Sequence, residues 1–315
     1  MVGPTSLYHA ESGVHLVQAL VSQAMGDAVS QQAAADAFIV ASRASDTHLD
    51  LALGRSGSLL GCALLLESMR MDEFLDSQPL VQRGDDLADE IWVEVEALGE
   101  ITQCTTLPYL GIAHGWAGVL YASLAWARAS RRPISAQIVK KLDQLADLAE
   151  PVGYGIRWPV RVLARPDGKY RHRSGSDFMS GWCNGSAGFV FLWTLAHELT
   201  REDRYLTLAE RAAWDAWMDR DPLVTICCGL AGRAYAVLNV YRATGKQVWL
   251  ERALELGNEV DVDFSVAGAY RHSPYKGSLG PILLLNDLHS PAEANLPVFE
   301  SEGWPFRPTE QRPVG

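Results

Sequence analysis

Residues 227–240 read Cys-Cys-Gly-Leu-Ala-Gly-Arg-Ala-Tyr-Ala-Val-Leu-Asn-Val, a Gly229-x-x-Gly232 step that opens at once into an apolar stretch. The same step occurs four more times: Gly54-x-x-Gly57 before SLLGCALLLESM, Gly115-x-x-Gly118 before VLYASLAWARAS, Gly185-x-x-Gly188 before FVFLWTLAHEL, and Gly277-x-x-Gly280 before PILLLNDL. One such step carries little information, but five of them, each leading into an apolar segment, form an internal repeat. The apolar segments are hydrophobic nearly all round, the pattern of helices buried on every side. Between them lie amphipathic segments with charged faces: QQAAADAFIVASRAS, DDLADEIWVEVEALGE, PISAQIVKKLDQLADLA, REDRYLTLAERAAWDAWMD and KQVWLERALELGN. With a further segment from Ser12 to about Gln23, buried and solvated helices alternate along the chain. Strict alternation predicts two concentric rings: an all-α fold, an α/α toroid of six to seven helix pairs, with inner helices opened by Gly-x-x-Gly. At a crowded centre the glycines allow tight turns and close approach of backbones.

Length and composition agree with one toroid over residues 1–315. The chain has 315 residues, 48% hydrophobic and 21% charged, which excludes a mostly disordered chain and is enough to bury a large core. Its formal charge is −11 with no Lys/Arg-rich run, against nucleic acid or an anionic membrane as the main partner. No secretory signal and no run of about 18 apolar residues is visible, so a cytoplasmic protein without a membrane span is expected. One stretch breaks the rhythm. Residues 152–176 are rich in Gly, Pro, Arg and aromatics and read as an inserted hairpin or loop, with Arg157 in its alternating part. Residues 298–315, with Pro305, Pro308 and Pro313, read as an extended tail.

Five cysteines are too few for a disulfide scaffold, and their number is odd. Cys62 and Cys104 stand apart from any motif and read as small core hydrophobes. Cys183, Cys227 and Cys228 sit just before first glycines of the repeat, and so does His114. In a toroid, equivalent positions on successive inner helices converge at one end of the cavity. Three thiolates meeting there suit tetrahedral Zn²⁺, and three protein ligands leave the fourth position open, as in catalytic sites. His114 alone reads equally as a core histidine or as an acid/base.

The motifs Ala113-His114-Gly115-Trp116-Ala117-Gly118, Trp182-Cys183-Asn184-Gly185 and Cys227-Cys228-Gly229-Leu230-Ala231-Gly232 resemble, in order and spacing, the signature of the lanthionine synthetase C (LanC-like) family. The resemblance runs over roughly residues 45 to 290. It implies an α/α barrel with one zinc ion at its mouth, where dehydrated precursor peptides are cyclised to thioether rings. The family's two cysteine ligands fall on Cys183 and Cys227. Its third, usually histidine, falls on Cys228, as in a three-cysteine branch. The family's catalytic histidine falls on His114 and its aspartate, four residues before the first Gly-x-x-Gly, on Asp50. Trp182, Asn184, Arg157 and Trp116 are candidate substrate contacts. Two departures stand out: Met179 where an arginine is frequent, and Asn184 where Tyr or His is frequent. The chain also reaches Asp50 early, which implies that part of the family's N-terminal helical region is missing.

The implied reaction adds a cysteine thiol to dehydroalanine or dehydrobutyrine. A thiol of pKa about 8.5 is mostly protonated at neutral pH, so the thiolate must be generated and held. Zn²⁺ suits that task, and His114 suits protonation of the enolate; Asp50 either orients His114 or takes the thiol proton. No kinase or lyase motif is visible, so a separate dehydratase is the expected partner. Three other readings compete: a zinc protein that adds glutathione or another thiol to dehydroamino acids, a non-catalytic zinc- or peptide-binding scaffold, and a toroidal glycosidase using Asp50 and Asp177. The last leaves the three cysteines without a role.

Overall fold

The computed structural model describes residues 2–70, 74–162, 178–219, 221–260 and 272–300. Eleven α-helices lie among them, and they form an α/α toroid. The odd-numbered helices make the inner ring: α1 (Glu11–Ala24), α3 (Arg55–Met69), α5 (Trp116–Ser130), α7 (Ser186–Thr200), α9 (Leu230–Thr244) and α11 (Leu279–Asp287). Each packs on the next odd-numbered helix from α1 to α9, and α11 packs on α9. The outer helices α2 (Ala28–Ala41), α4 (Gln78–Ala97), α6 (Ala136–Ala146), α8 (Asp203–Met218) and α10 (Gln247–Asn258) each cover the inner helix before them. Five complete pairs and a sixth inner helix are therefore described. All five amphipathic segments become outer helices, and the segment from Ser12 becomes α1. None of the described helices is long and apolar enough to cross a membrane.

The repeat explains how the inner helices start. Gly54, Gly115, Gly185 and Gly229 are the N-caps of α3, α5, α7 and α9, all with extended backbone and no side-chain cap. The first N–H groups of a helix need partners, and here the preceding loop supplies them. In α5 the N–H groups of Trp116 and Ala117 donate to the carbonyls of Tyr109 (3.2 Å) and Leu110 (3.0 Å). In α7, Ser186 and Ala187 donate in the same way to Met179 (3.1 Å) and Ser180 (3.0 Å). Folding the loop back this tightly leaves no room for a side chain. A Cβ on Gly185 would lie 2.3 Å from the Met179 carbonyl oxygen, and one on Gly188 2.2 Å from that of Trp182. The glycines are required by space, since neither has positive φ.

The strand pair begins two residues before the expected insertion at residue 152, and its turn and second strand fall within it. β1 (Glu150–Val152) and β2 (Gly155–Arg157) pair antiparallel through a turn at Gly153, with Pro151 opposite Ile156. Isolated bridges join Tyr109 to Arg161 and Pro159 to Phe178. Residues 163–176 of the segment read as a hairpin or loop, and Asp177, lie outside the described residues.

The centre of the ring is filled from the C-terminal side. Phe299 is 1% exposed; it stacks on Tyr121 at 4.2 Å between centroids and meets Trp182 and Phe191 edge-on at 5.3 and 5.4 Å. Three tyrosine hydroxyls hold this segment, donating to successive carbonyls: Tyr275 to Pro297 (2.9 Å), Tyr8 to Val298 (3.2 Å) and Tyr121 to Phe299 (3.2 Å). Residues 298–300, the start of the stretch read as an extended tail, are thus core. Burying a large aromatic stabilises by about 1.5–3 kcal/mol, and the hydroxyl bonds fix its direction. Residues 301–315 lie outside the described residues.

Candidate metal centre

One rim of the ring is built by the loops that precede the inner helices, and a chain of backbone hydrogen bonds locks them in register. Cys227 N–H donates to the Tyr275 carbonyl (2.8 Å), Cys183 N–H to Cys227 (3.0 Å), Ala113 N–H to Cys183 (2.8 Å) and Ala52 N–H to Ala113 (2.8 Å). All five residues stand two before the first glycine of their repeat. Sequence register therefore becomes spatial register. The neighbouring positions, one before each glycine, are Leu53, His114, Asn184, Cys228 and Lys276.

On this rim Cys183, Cys227 and Cys228 form the one cluster among the described residues able to hold a metal ion, with their sulfurs within 4.8 Å of one another. Cys183 Sγ and Cys227 Sγ each lie 3.4 Å from Cys228 Sγ. The three thiols share protons. Hydrogen bonds from Cys183 and then Cys227 favour ionisation of Cys228, helped by the nearby Lys276 ammonium. The hydrogen bonds of Cys183 to Cys227 and Cys228, then burial, push its pKa up strongly. Of the remaining cysteines, Cys62 is fully buried, and burial raises it to about 12. Cys104 is 4% exposed and its sulfur accepts the Leu107 N–H at 3.2 Å. Neither belongs to the rim cluster.

His114 and Asp50 meet on the same rim. His114 Nδ1 lies 3.3 Å from Asp50 Oδ2, with the imidazole 38% exposed and the carboxylate 13%. Asp50 Oδ1 accepts the Leu53 N–H at 2.6 Å, which fixes the carboxylate against its own loop. Asp50 is thus bound to the histidine, and its glycosidase partner Asp177 lies outside the described residues.

The four candidate substrate contacts divide. Asn184 directs its amide nitrogen to Cys183 Sγ at 3.8 Å, and its buried Oδ1 has no hydrogen-bond partner. Trp182 is 3% exposed among Tyr8, Tyr275 and Phe299, with its indole N–H unpartnered. Trp116 is fully buried and donates its indole N–H to the Leu107 carbonyl at 2.9 Å, so it has no surface for a ligand. The Arg157 guanidinium lies 4.0 Å over the Phe178 ring and near Asp215, on the flank of the loop leading to Cys183. Met179 is 37% exposed; its carbonyl caps α7, a role open to any residue.

Two rim residues escaped the sequence reading. Lys276 lies within electrostatic reach of Cys227 and Cys228 and favours the thiolate of each, although the hydrogen bond to Cys228 and burial leave the Cys227 pKa raised. It occupies the same repeat position as His114 and Cys228, so register alone could have flagged it. His9 lies within electrostatic reach of Lys276, His114 and Asp50, and desolvation followed by Lys276 and His114 lowers its pKa, against Asp50. It belongs to the segment before α1, where no Gly-x-x-Gly step exists to point to it.

The double ring of inner and outer helices is the fold of a solved nisin cyclase. The chain belongs to the lanthionine synthetase C-like family, whose sequence model matches residues 4–301. Among solved structures, a nisin cyclase superposes with a TM-score of 0.57 at 16% identity, covering 92% of this chain and 89% of that one. A zebrafish (Danio rerio) protein named glutathione S-transferase LANCL1 is 28% identical over 209 residues, 61% of this chain and 46% of its own length. The LanC-like protein GCL1 of Arabidopsis thaliana is 26% identical over 205 residues, 61% of this chain and 43% of its own. Each match thus covers less than half of those two relatives.

Proposed function

We propose that this chain is a lanthionine cyclase-like enzyme, which adds the cysteine thiol of a dehydrated peptide to the β-carbon of dehydroalanine or dehydrobutyrine. The observation that carries the reading is the meeting of the cysteine trio and the Asp50–His114 pair on hydrogen-bonded neighbouring loops. Zn²⁺ fits the donors. At a Zn–S distance of about 2.3 Å, tetrahedral sulfurs stand roughly 3.8 Å apart, so thiols now 3.4 Å apart need move only slightly to accept the ion. Cys183, Cys227 and Cys228 would hold it, and when bound it supplies a Lewis-acidic position at which a thiol ionises at neutral pH.

The rest of the chemistry belongs to the chain. As the S–Cβ bond forms, the C=C π pair moves toward the carbonyl as an enolate, and a proton must be delivered to Cα. Asp50 holds His114 through Nδ1, leaving Nε2 to carry that proton, and the partly exposed imidazole is accessible to a peptide. The Asn184 amide N–H beside Cys183 disperses sulfur charge. The loop carbonyls and buried aromatics fix these groups, so little reorganisation accompanies reaction. Dehydration of the peptide falls to a separate protein in this reading.

A second reading, addition of a free acidic thiol such as glutathione, is favoured by Lys276 next to the cysteines. One experiment separates the two. The zinc-loaded chain is incubated with a dehydrated peptide carrying one cysteine, with and without glutathione. Cyclisation leaves the mass unchanged and removes the alkylatable thiol, whereas glutathione addition raises the mass by one glutathione. Cys183→Ala abolishes either product together with bound zinc. An unchanged peptide with zinc-loaded protein refutes both readings and leaves a binding scaffold.

A further inference from the structure

The rim has a sixth member that the sequence conceals. Ahead of α1 no Gly-x-x-Gly step occurs, because Ala10 stands where a first glycine would and only Gly13 remains. In space the segment folds as the other five do. Ala10 is the N-cap of α1 with extended backbone. Its N–H donates to the carbonyl four residues back, Ser6, at 3.0 Å, as Gly54 does to Asp50 (3.2 Å) and Gly229 to Thr225 (3.0 Å). A Cβ on Gly13 would strike the carbonyl oxygen six residues back, that of Leu7, just as one on Gly118 would strike Ile112 and one on Gly232 Ile226. Tyr8 is therefore the counterpart of Ala113, Cys183 and Cys227, and His9 that of His114, Cys228 and Lys276.

This segment also closes the rim. The Ala52 carbonyl, at the end of the loop-to-loop ladder, accepts the Ser6 hydroxyl at 2.7 Å, and the same Oγ accepts the His9 N–H at 3.1 Å. On the other side Tyr8 meets its counterpart Tyr275, with ring centroids 5.3 Å apart. His9 thus stands between the α3 and α11 loops, exposed at the mouth and within electrostatic reach of Lys276, His114 and Asp50. We propose that His9 is the general base that takes the proton of the incoming thiol, which rests on the thiol-addition reading above.

The other groups at the mouth are committed or unsuited. Asp50 has one oxygen on the Leu53 N–H and the other on His114. Leu53 and Asn184 carry no base, the Lys276 ammonium offers only donors, and Cys228 would hold the metal. His114 must already carry a proton to deliver it to Cα, and an imidazolium cannot accept a second. His9 is the imidazole left to receive one. Burial, then the charges of Lys276 and His114, lower its pKa against the pull of Asp50, which keeps it an acceptor at neutral pH. In the step itself the S–H bond breaks and its proton goes to His9, while the sulfur electron pair forms the S–Cβ bond. The π pair becomes the enolate and then the new Cα–H bond, with the proton from His114. Nothing is oxidised or reduced, and water at the mouth resets the two histidines.

The zinc-loaded full chain and its His9→Gln variant test the assignment with two peptides. The first has one cysteine and alanine in place of dehydroalanine, so its thiol can bind but not react. A rise in Co²⁺–thiolate absorption on adding it to the cobalt-substituted protein reports that binding. Calorimetry in buffers of different ionisation enthalpy then counts protons: wild type should retain the thiol proton, and His9→Gln should release about one per thiolate bound. With the dehydrated peptide, His9→Gln should slow ring closure by about 10²-fold at neutral pH. That deficit should shrink as pH rises toward the thiol's own pKa of about 8.5. Selenocysteine in place of the reacting cysteine, already ionised at neutral pH, should restore His9→Gln but leave His114→Gln slow. Equal proton release from the two proteins overturns the proposal, as does a deficit that neither pH nor selenocysteine relieves. No rise in Co²⁺–thiolate absorption with wild type is a different result: it overturns the thiol-addition reading and the role of His9 with it.

Discussion

Gly181→Ala tests whether loop contact, rather than the cysteines alone, sets the metal centre. A Cβ at Gly181 would lie 2.6 Å from Cys228 Cα, 2.9 Å from its carbonyl carbon and 3.0 Å from its oxygen. These are backbone atoms, so no side chain can swing aside. Regaining an ordinary carbon–carbon separation of about 3.5–4.0 Å moves the Cys228 loop about 1 Å away from the Cys183 loop. The two sulfurs now 3.4 Å apart separate with the loops, whereas metal–ligand distances tolerate only about 0.2 Å. Misplacing a supporting group commonly weakens metal affinity by about 10–100-fold, and the same range is expected here. Overpacking costs about 1–3 kcal/mol, visible as a drop of a few degrees in Tm. The assay is zinc affinity by chelator competition, with Co²⁺ absorption reporting thiolate ligation and circular dichroism reporting the helices. Gly84→Ala is the control: its Cβ would strike the Trp126 ring between α4 and α5, lowering stability without touching the rim. Wild-type zinc affinity in Gly181→Ala, or an equal loss in Gly84→Ala, would refute the reasoning.

Three further outcomes are expected. His114→Gln should slow thioether formation by about 10²–10⁴-fold, the usual worth of a general acid, with zinc content unchanged; equal loss of zinc would make His114 structural. Cys228→His should keep zinc but slow ring closure by about tenfold, because exchanging a thiolate for a neutral imidazole leaves more positive charge to quieten the substrate sulfur; an unchanged rate in single-turnover assays refutes that. Asp46 is buried, which raises its pKa, but hydrogen bonds from Thr5 and then His48 outweigh burial and lower it. Its contribution is therefore complete above the unfolded carboxylate value of about 3.9 and is lost as pH falls through the lower folded value. Asp46→Asn should cost about 1.5–3 kcal/mol at pH 7 and flatten the acid limb of a Tm–pH profile; an unaltered acid limb counts against the assignment.

The fold was legible because its cause is local and repeated. A Gly-x-x-Gly step followed by a helix apolar on all sides has few other uses, and each outer helix shows its charged face directly. The same periodicity marked Cys183, Cys227, Cys228 and His114, since equivalent repeat positions are joined by the loop-to-loop hydrogen bonds that end on Tyr275. Lys276 obeys the same rule and carried its signal unread. His9 and Phe299 lie outside the Gly-x-x-Gly repeat. They come together through chain ends and helix ends that meet only once the ring has closed, so composition and spacing say nothing about them. Trp116 shows the opposite limit: a motif position beside His114 gave no hint that its ring turns into the core and donates to Leu107. Sequence alone determined which residues share a ring position. Tertiary structure decided which of them face the rim, what plugs the centre, and that His9 joins the rim, because those outcomes depend on side-chain direction and on contacts between segments far apart in the chain.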